Sequence, residues 1–188
     1  RGSLVGEPNK NHEQYAGNCV SIFTVPLFVT MLENISIFKF IKYLFRHPVR
    51  FRAFNFLMFK ILKYKVFKRG TPLSKITWSA NKNLKIHFTA LDEHMNEREW
   101  IDGEKFSLAD ITWMVLFHRL EESQLLGHFI KEKNNLIRYF ERLKERESYK
   151  SELLDYEDDS IKNGKYKLNK ALQKNKSIIE HYDYIKSL

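Results

Sequence analysis

The stretch KFSLADITWM, residues 105–114, has the residue pattern that begins a helix. With Ser107 as the N-cap, its hydroxyl accepts a hydrogen bond from the N–H of Asp110, whose carboxylate accepts one from the N–H of Ser107. Phe106, before the cap, and Ile111, inside the helix, then occupy the two positions of a hydrophobic staple. The sequence therefore predicts a structural helix cap at Phe106, Ser107, Asp110 and Ile111, and no catalytic residue is assigned to this chain.

Helical periodicity extends over most of the chain on both sides of this cap. Apolar residues recur at intervals of three and four, as in Leu84, Phe88, Leu91 and Met95. Seven Gly and four Pro in 188 residues are too few for the many turns of a β-sandwich or barrel. The predicted fold class is all-α, a single-domain helical bundle. The predicted helical stretches are Val20–Phe45, Val49–Lys68, Thr77–Met95, Ser107–Leu126 and Asn135–Tyr149, with a boundary at His47-Pro48 between the first two.

The composition places limits on the compartment and on metal binding. A single cysteine, Cys19, rules out an intramolecular disulfide, so a reducing, cytoplasmic location is expected. Without a second cysteine and with scattered histidines, no metal site is expected. The longest apolar run, residues 19–32, is short for a membrane span and contains Pro26, which is predicted to kink or start a buried helix.

Composition also divides the chain into three parts. Residues 1–17 are polar and glycine-containing, and they are predicted to be a tail or linker. Residues 18–155 carry the helical pattern and are predicted to form the helical domain. Residues 156–188 are rich in lysine and asparagine, which predicts a basic C-terminal tail with room for one short helix at 177–185.

Two segments carry a family resemblance. WIDGEKFSLADITWMVLFHRL, residues 100–120, resembles the entry to the central buried helix in the C-terminal domain of glutathione S-transferases. The matching residues are Trp100, Ile101, Gly103, Phe106, Ser107, Ala109 and Asp110. NNLIRYFERLKERESYKSEL, residues 134–153, resembles the next helix of that domain through Leu136, Tyr139, Arg142 and Arg146, although Asn134 stands where proline is common. The resemblance covers residues 84–150. Within it, the segment SLADITWMVLFHRLE is particularly similar to the tetrachlorohydroquinone dehalogenase-like branch of the family.

The resemblance implies a divided active site. In that family a thioredoxin-like domain precedes the helical domain, activates the thiol and makes most glutathione contacts. Here only 24 residues precede Val25, too few for the strand–helix–strand unit that would come first, so no thioredoxin-like domain is recognised. The resemblance thus implies glutathione as a co-substrate and a homodimer, with this chain inactive alone.

The resemblance also implies that this domain holds the electrophile, a small apolar or anionic molecule. Arg119 would meet an anionic substrate. The alternative is that Arg119 pairs with Glu122, three residues later on the same helix. The implied substrate-binding residues are Phe23, Phe28, Trp113, Met114, Phe117 and Arg119.

A basic, aromatic stretch leaves several readings open. Between Asn34 and Leu91 the chain has no Asp or Glu, and residues 34–69 are rich in Phe and Tyr. This pattern fits a solvated basic face on core helices, the mouth of a pocket for anionic substrates, or a helix on an anionic membrane surface. The formal net charge of +9 permits nucleic-acid contact, but no motif for specific binding is present.

Two functions follow from these observations. The first is the electrophile-binding domain of a glutathione S-transferase-like protein. The alternative is a non-catalytic interaction module of the same kind, which docks on a protein partner or an anionic membrane surface.

Overall fold

The computed structural model describes residues 15–33, 35–46 and 50–188, and the regular structure of these residues is helical. They contain no β-strand, only an isolated antiparallel bridge between Trp100 and Gly103. The predicted all-α class is therefore confirmed. The helices are α1 Ala16–Phe23, α2 Val25–Leu32, α3 Ile37–Arg46, α4 Arg50–Leu62, α5 Pro72–His94, α6 Leu108–Glu122, α7 Leu126–Ile130, α8 Asn134–Glu145, α9 Glu147–Tyr149, α10 Asp159–Lys174 and α11 Lys176–Ser187. A 3-10 turn, Lys63–Phe67, follows α4, and a π-turn, Lys150–Leu154, follows α9.

Proline chemistry explains the break between α1 and α2. Pro26 has no N–H to donate to Ile22, and its ring would clash with that carbonyl in a continuous helix. Helix α1 ends at Phe23, and Thr24 caps it by donating its N–H to the Val20 carbonyl at 3.1 Å. Pro26 falls in the first turn of α2. The sequence predicted that Pro26 either kinks or starts a helix, and in the structure it lies at the start of α2. The predicted boundary at His47-Pro48 and residues 1–14 of the predicted tail lie outside the described residues.

The helices form two compact packing units. The first comprises the chain up to Thr24, residues 76–157 and Leu188. Its core contains the predicted face of α5, where Leu84, Phe88 and Leu91 are fully buried. The aromatic rings of α5, α6, α7 and α8 surround this face, with Phe88 and Phe117 stacked 5.4 Å apart.

The second unit comprises residues 25–75 and 158–187. Helix α10 packs on α2 at Gly164, and the buried Thr30 hydroxyl donates to the Gly164 carbonyl at 2.9 Å. Lys60 on α4 caps the end of α2, because its ammonium donates to the carbonyls of Leu32 and Ile35. The lysine thus adds a donor to carbonyl groups at and just beyond the helix end, where intrahelical donors run out.

The C-terminal segment differs from its predicted role as a basic tail. Residues 159–174 and 176–187 form two helices, and Leu168, Ile178 and Ile185 are fully buried. Asp158 starts the first by accepting from the N–H of Ile161 at 2.9 Å. The segment has few apolar residues, but they recur on one side of each helix and pack on partners distant in the sequence. The single domain predicted for 18–155 likewise differs from the two units, since periodicity identifies apolar faces but not the faces they contact.

None of the helices in the described ranges is both long enough and apolar enough to cross a bilayer.

Candidate functional site

The Asp110 carboxylate at the start of α6 is fully buried and accepts four hydrogen bonds. One oxygen, Oδ2, accepts from the Ser107 N–H at 2.8 Å and the Ser107 hydroxyl at 3.1 Å. The other, Oδ1, accepts from the Ile101 N–H at 3.0 Å and the Tyr139 hydroxyl at 2.7 Å. Both halves of the capping box at Ser107 and Asp110 are present.

A tight loop brings the Ile101 N–H to this carboxylate. Trp100 and Gly103 exchange two backbone hydrogen bonds of 2.8 and 2.9 Å, which closes the loop. Gly103 has a φ of +102°, a conformation that side-chain-bearing residues rarely adopt. The glycine therefore permits the turn that directs the loop amide towards Asp110.

This arrangement stabilises the fold and does not present an acid or base to a substrate. Each oxygen of Asp110 already accepts two hydrogen bonds, and the side chain is inaccessible to solvent. Burial and the hydrogen bond to Asp110 raise the pKa of Tyr139 well above its usual value, so Tyr139 remains a neutral donor. The loop, α6 and α8 are thereby joined through one carboxylate.

Aromatic and cationic contacts cover the outside of the cap. The Phe106 ring meets the Trp100 ring edge to face, with centroids 5.1 Å apart. The Arg146 guanidinium lies 3.6 Å from the Phe106 centroid and 5.6 Å from that of Trp100. Ile111, the other predicted staple residue, is 40% exposed. The observed ring contacts of Phe106 thus come from Trp100 and Arg146.

The residues predicted to bind the electrophile occupy several environments. Within the first unit Phe23, Trp113, Met114 and Phe117 are buried in the aromatic core. Phe23 contacts Phe129 at a centroid distance of 5.1 Å, and Trp113 lies 5.7 Å from Phe88.

Phe28 belongs to the second unit, where its ring contacts Phe56 at 4.9 Å and Phe59 at 6.5 Å. In the first unit, by contrast, the four predicted residues are at most 4% exposed and offer almost no surface to a ligand in this conformation.

Arg119, the last of the predicted set, belongs to a polar network on α6. Its guanidinium donates to the Glu122 carboxylate at 2.6 Å, which is the alternative partner that the spacing suggested. The other oxygen of Glu122 lies 3.4 Å from His118 Nε2, and His118 Nδ1 lies 3.0 Å from the Tyr149 hydroxyl. Tyr149 also contacts Glu121 at 3.4 Å.

The electrostatics of this network favour an ionised Glu122. Burial opposes the charge, but the His118 imidazole 3.4 Å away and the positive charge of Arg119 outweigh it, so the pKa of Glu122 lies below its ordinary value. Burial, with the negative charge of Glu121, raises the pKa of Tyr149, which remains protonated. Of the two described side chains that contact the Glu122 carboxylate, His118 is buried and Arg119 is 39% exposed.

Sequence reasoning did not identify Tyr149 or the buried role of His118. The spacing of His118 and Glu122, four residues apart, was a usable signal for a pair on one helix face. Nothing local links Tyr149 to His118, since 31 residues separate them. No group of three potential metal ligands occurs among the residues that the structure describes.

Comparison with known proteins gives one partial similarity. A 72-residue segment of the chain is 35% identical to a tetrachloro-p-hydroquinone reductive dehalogenase from Sphingobium chlorophenolicum. The segment is 38% of this chain and 29% of the dehalogenase, so the chain spans under a third of that relative. No family model matches the chain, and no solved structure matches it. The partial similarity supports a relationship to glutathione S-transferase-like proteins.

Proposed function

We propose that this chain is the helical, electrophile-binding part of a glutathione S-transferase-like protein and that thiol activation requires a thioredoxin-like domain. The observation that carries the proposal is the 35% identity over 72 residues to a reductive dehalogenase of chlorinated hydroquinone. The chain's contribution to the reaction is to hold the electrophile close to the activated thiol. Such positioning accelerates a reaction without acid–base chemistry from the residues that provide it.

The described residues provide no thiol for this chemistry. Cys19 is fully buried in α1, and burial in apolar surroundings disfavours the reactive thiolate. Glutathione is therefore the proposed co-substrate, bound by the thioredoxin-like domain. Homodimer formation and a cytoplasmic location are further parts of this proposal, and sedimentation velocity of the purified chain tests the first.

The proposed electrophile is a chlorinated hydroquinone, which is flat, apolar and anionic when a phenol is ionised. Arg119 is the residue of the predicted set whose charge reaches solvent, so it is assigned to the phenolate. The pairing with Glu122 holds the guanidinium in position and leaves its outer edge for an anion. Trp113 and Phe117, which precede Arg119 on α6, have buried rings that anchor the helix in the core.

Calorimetric titration of the chain with tetrachlorohydroquinone under anaerobic conditions tests the binding role. We expect saturable binding that weakens about tenfold in Arg119→Gln, since one charge-assisted hydrogen bond is lost. Arg138→Gln changes an exposed arginine on α8 and is the matched control, expected to bind as the parent chain does. Absence of binding by the folded parent chain, or equal weakening in both variants, would contradict the proposal.

A further inference from the structure

Helix α3 exposes an apolar face beside lysines. Phe38, Ile41 and Phe45 lie at positions i, i+3 and i+7, which share one side of a helix. Their exposed fractions are 82%, 40% and 88%, whereas Phe40 on another side of the same helix is 2% exposed. Phe40 thus holds α3 on its own packing unit, while Phe38 and Phe45 remain in solvent.

The charged residues of α3 and of α4 are all basic. Lys39 and Lys42 are exposed on α3, and Lys42 follows Phe38 by one helical turn. The sequence contains no acidic residue from Asn34 to Leu91, and α4, the helix in contact with α3, lies wholly within that range. Hence neither of these two helices carries a carboxylate to neutralise the lysines.

We infer that α3 docks on an anionic lipid surface, lying in the plane of the interface. Phe38, Ile41 and Phe45 enter the boundary between headgroups and acyl chains, and Lys39 and Lys42 contact the anionic headgroups. The apolar residues supply burial and the lysines supply selectivity for negative charge. This inference does not depend on the proposed electrophile-binding function.

The charges favour lipid over a second copy of the chain. Packing two α3 faces together would bring the lysines of both copies near one another, and like charges repel. An anionic bilayer instead offers an apolar layer for the Phe and Ile side chains and, beside it, negative headgroups for the lysines. Two strongly exposed phenylalanines and two lysines match the pairing of signals that reversible surface binding requires.

Vesicle co-sedimentation of the 188-residue chain tests the inference. We expect binding to phosphatidylcholine vesicles that contain about one third phosphatidylserine and weaker binding, by about tenfold, to phosphatidylcholine alone. The double substitution Phe38→Ser/Phe45→Ser should reduce binding about tenfold or more, and Lys39→Gln/Lys42→Gln should remove the preference for anionic vesicles. Raised salt should weaken binding of the parent chain.

The matched control is Ile86→Ser/Tyr156→Ser, because both residues are exposed apolar side chains outside α3, at 58% and 80%. This control should bind as the parent chain does, and circular dichroism must show the same helicity for all variants. Equal binding of the parent chain and Phe38→Ser/Phe45→Ser, or no binding by the parent chain, would overturn the inference. So would sedimentation equilibrium showing a dimer that these two substitutions dissociate, since a second copy would then occupy the face.

Discussion

The Tyr139 hydroxyl on α8 donates a 2.7 Å hydrogen bond to the Asp110 carboxylate at the start of α6, and both side chains are fully buried. The contact joins residues 29 positions apart and completes the set of four donors around the carboxylate. Because the acceptor is a carboxylate, the bond is stronger than one between two neutral groups. The start of α6 is therefore fixed by α8 as well as by its own capping residues.

Replacing Tyr139 by Phe removes this donor and retains the ring. We expect the free energy of unfolding to fall by about 1.5–3 kcal/mol, the range for a hydrogen bond to a charged group. Urea denaturation at pH 7 measures the change. Tyr166→Phe is the control, because Tyr166 is 57% exposed, and it should leave the stability unchanged. Equal stability of the two variants would show that the bond contributes nothing.

Glu122 predicts a loss of stability in acid. Its folded-state pKa lies below the ordinary value of 4.5, so the unfolded chain takes up the proton first as the pH falls. Its contribution is complete above about pH 4.5 and declines as the pH drops towards the folded-state pKa.

Glu122→Gln should therefore lower the stability at pH 7 by about 2 kcal/mol and flatten its decline below pH 4.5. Glu132→Gln, at a side chain that is 84% exposed, is the control and should keep the parent profile. Unfolding measured in urea at a series of pH values distinguishes the variants. Parallel profiles for Glu122→Gln and the parent chain would rule out this role.

His181 predicts a separate effect at higher pH. Its side chain is buried on α11 beside the Phe67 ring, and burial lowers its pKa from 6.5 to about 4. Because the unfolded chain binds this proton first, the contribution of His181 is complete above pH 6.5 and is lost as the pH falls towards 4. The loss should reach about 3 kcal/mol over this interval.

His181→Phe removes the titrating group and keeps a ring at the site. The stability of this variant should change less between pH 6.5 and pH 4.5 than that of the parent chain, a window above the range in which Glu122 acts. Denaturation curves at several pH values in that window measure the difference. If the variant retained the full slope, protonation of His181 would not be its cause.

Gly164 predicts a steric coupling between α10 and α2. An alanine Cβ at this position would lie 2.5 Å from Met31 Cγ and 3.3 Å from Leu27 Cδ1. We expect Gly164→Ala to destabilise the protein by about 1–2 kcal/mol, despite the better helix propensity of alanine. Gly127→Ala is the control, because no atom lies within 4 Å of its added Cβ.

A double-mutant cycle with Met31→Ala tests whether the clash is local. The loss of unfolding free energy in the double variant should be about 1 kcal/mol smaller than the sum of the two single losses. The shorter side chain in Met31→Ala would leave room for the new methyl group. If the two losses were strictly additive, the destabilisation by Gly164→Ala would not come from a clash with Met31.

Local patterns predicted the beginning of α6 and the buried face of α5. A capping box and a hydrophobic repeat lie within a few residues of one another, so the sequence carries them directly. The helices α10 and α11 were missed because their few apolar residues, such as Leu168 and Ile178, are buried by partners that are distant in the sequence. Lysine-rich composition alone therefore gave the wrong impression of a tail.

The candidate site was less predictable for the same reason. Trp113 and Phe117 carry side chains suited either to a pocket or to a core, and the aromatic rings packed on them decide for the core. The Arg119–Glu122 pair was visible from spacing, whereas the contact of Tyr149 with His118 depends on where α9 lies. Residue type and spacing thus identified the helix faces, and packing determined their roles.

The hydrogen bond from Thr30 to Gly164 has a consequence for synthesis on the ribosome. The two residues are 134 positions apart, so α2 is made long before its partner α10 exists. At roughly 5–20 residues per second, the apolar surface of α2 waits for about 7–27 seconds. During that interval the nascent chain presents a surface that a chaperone can recognise, and translation speed will influence the yield of folded protein.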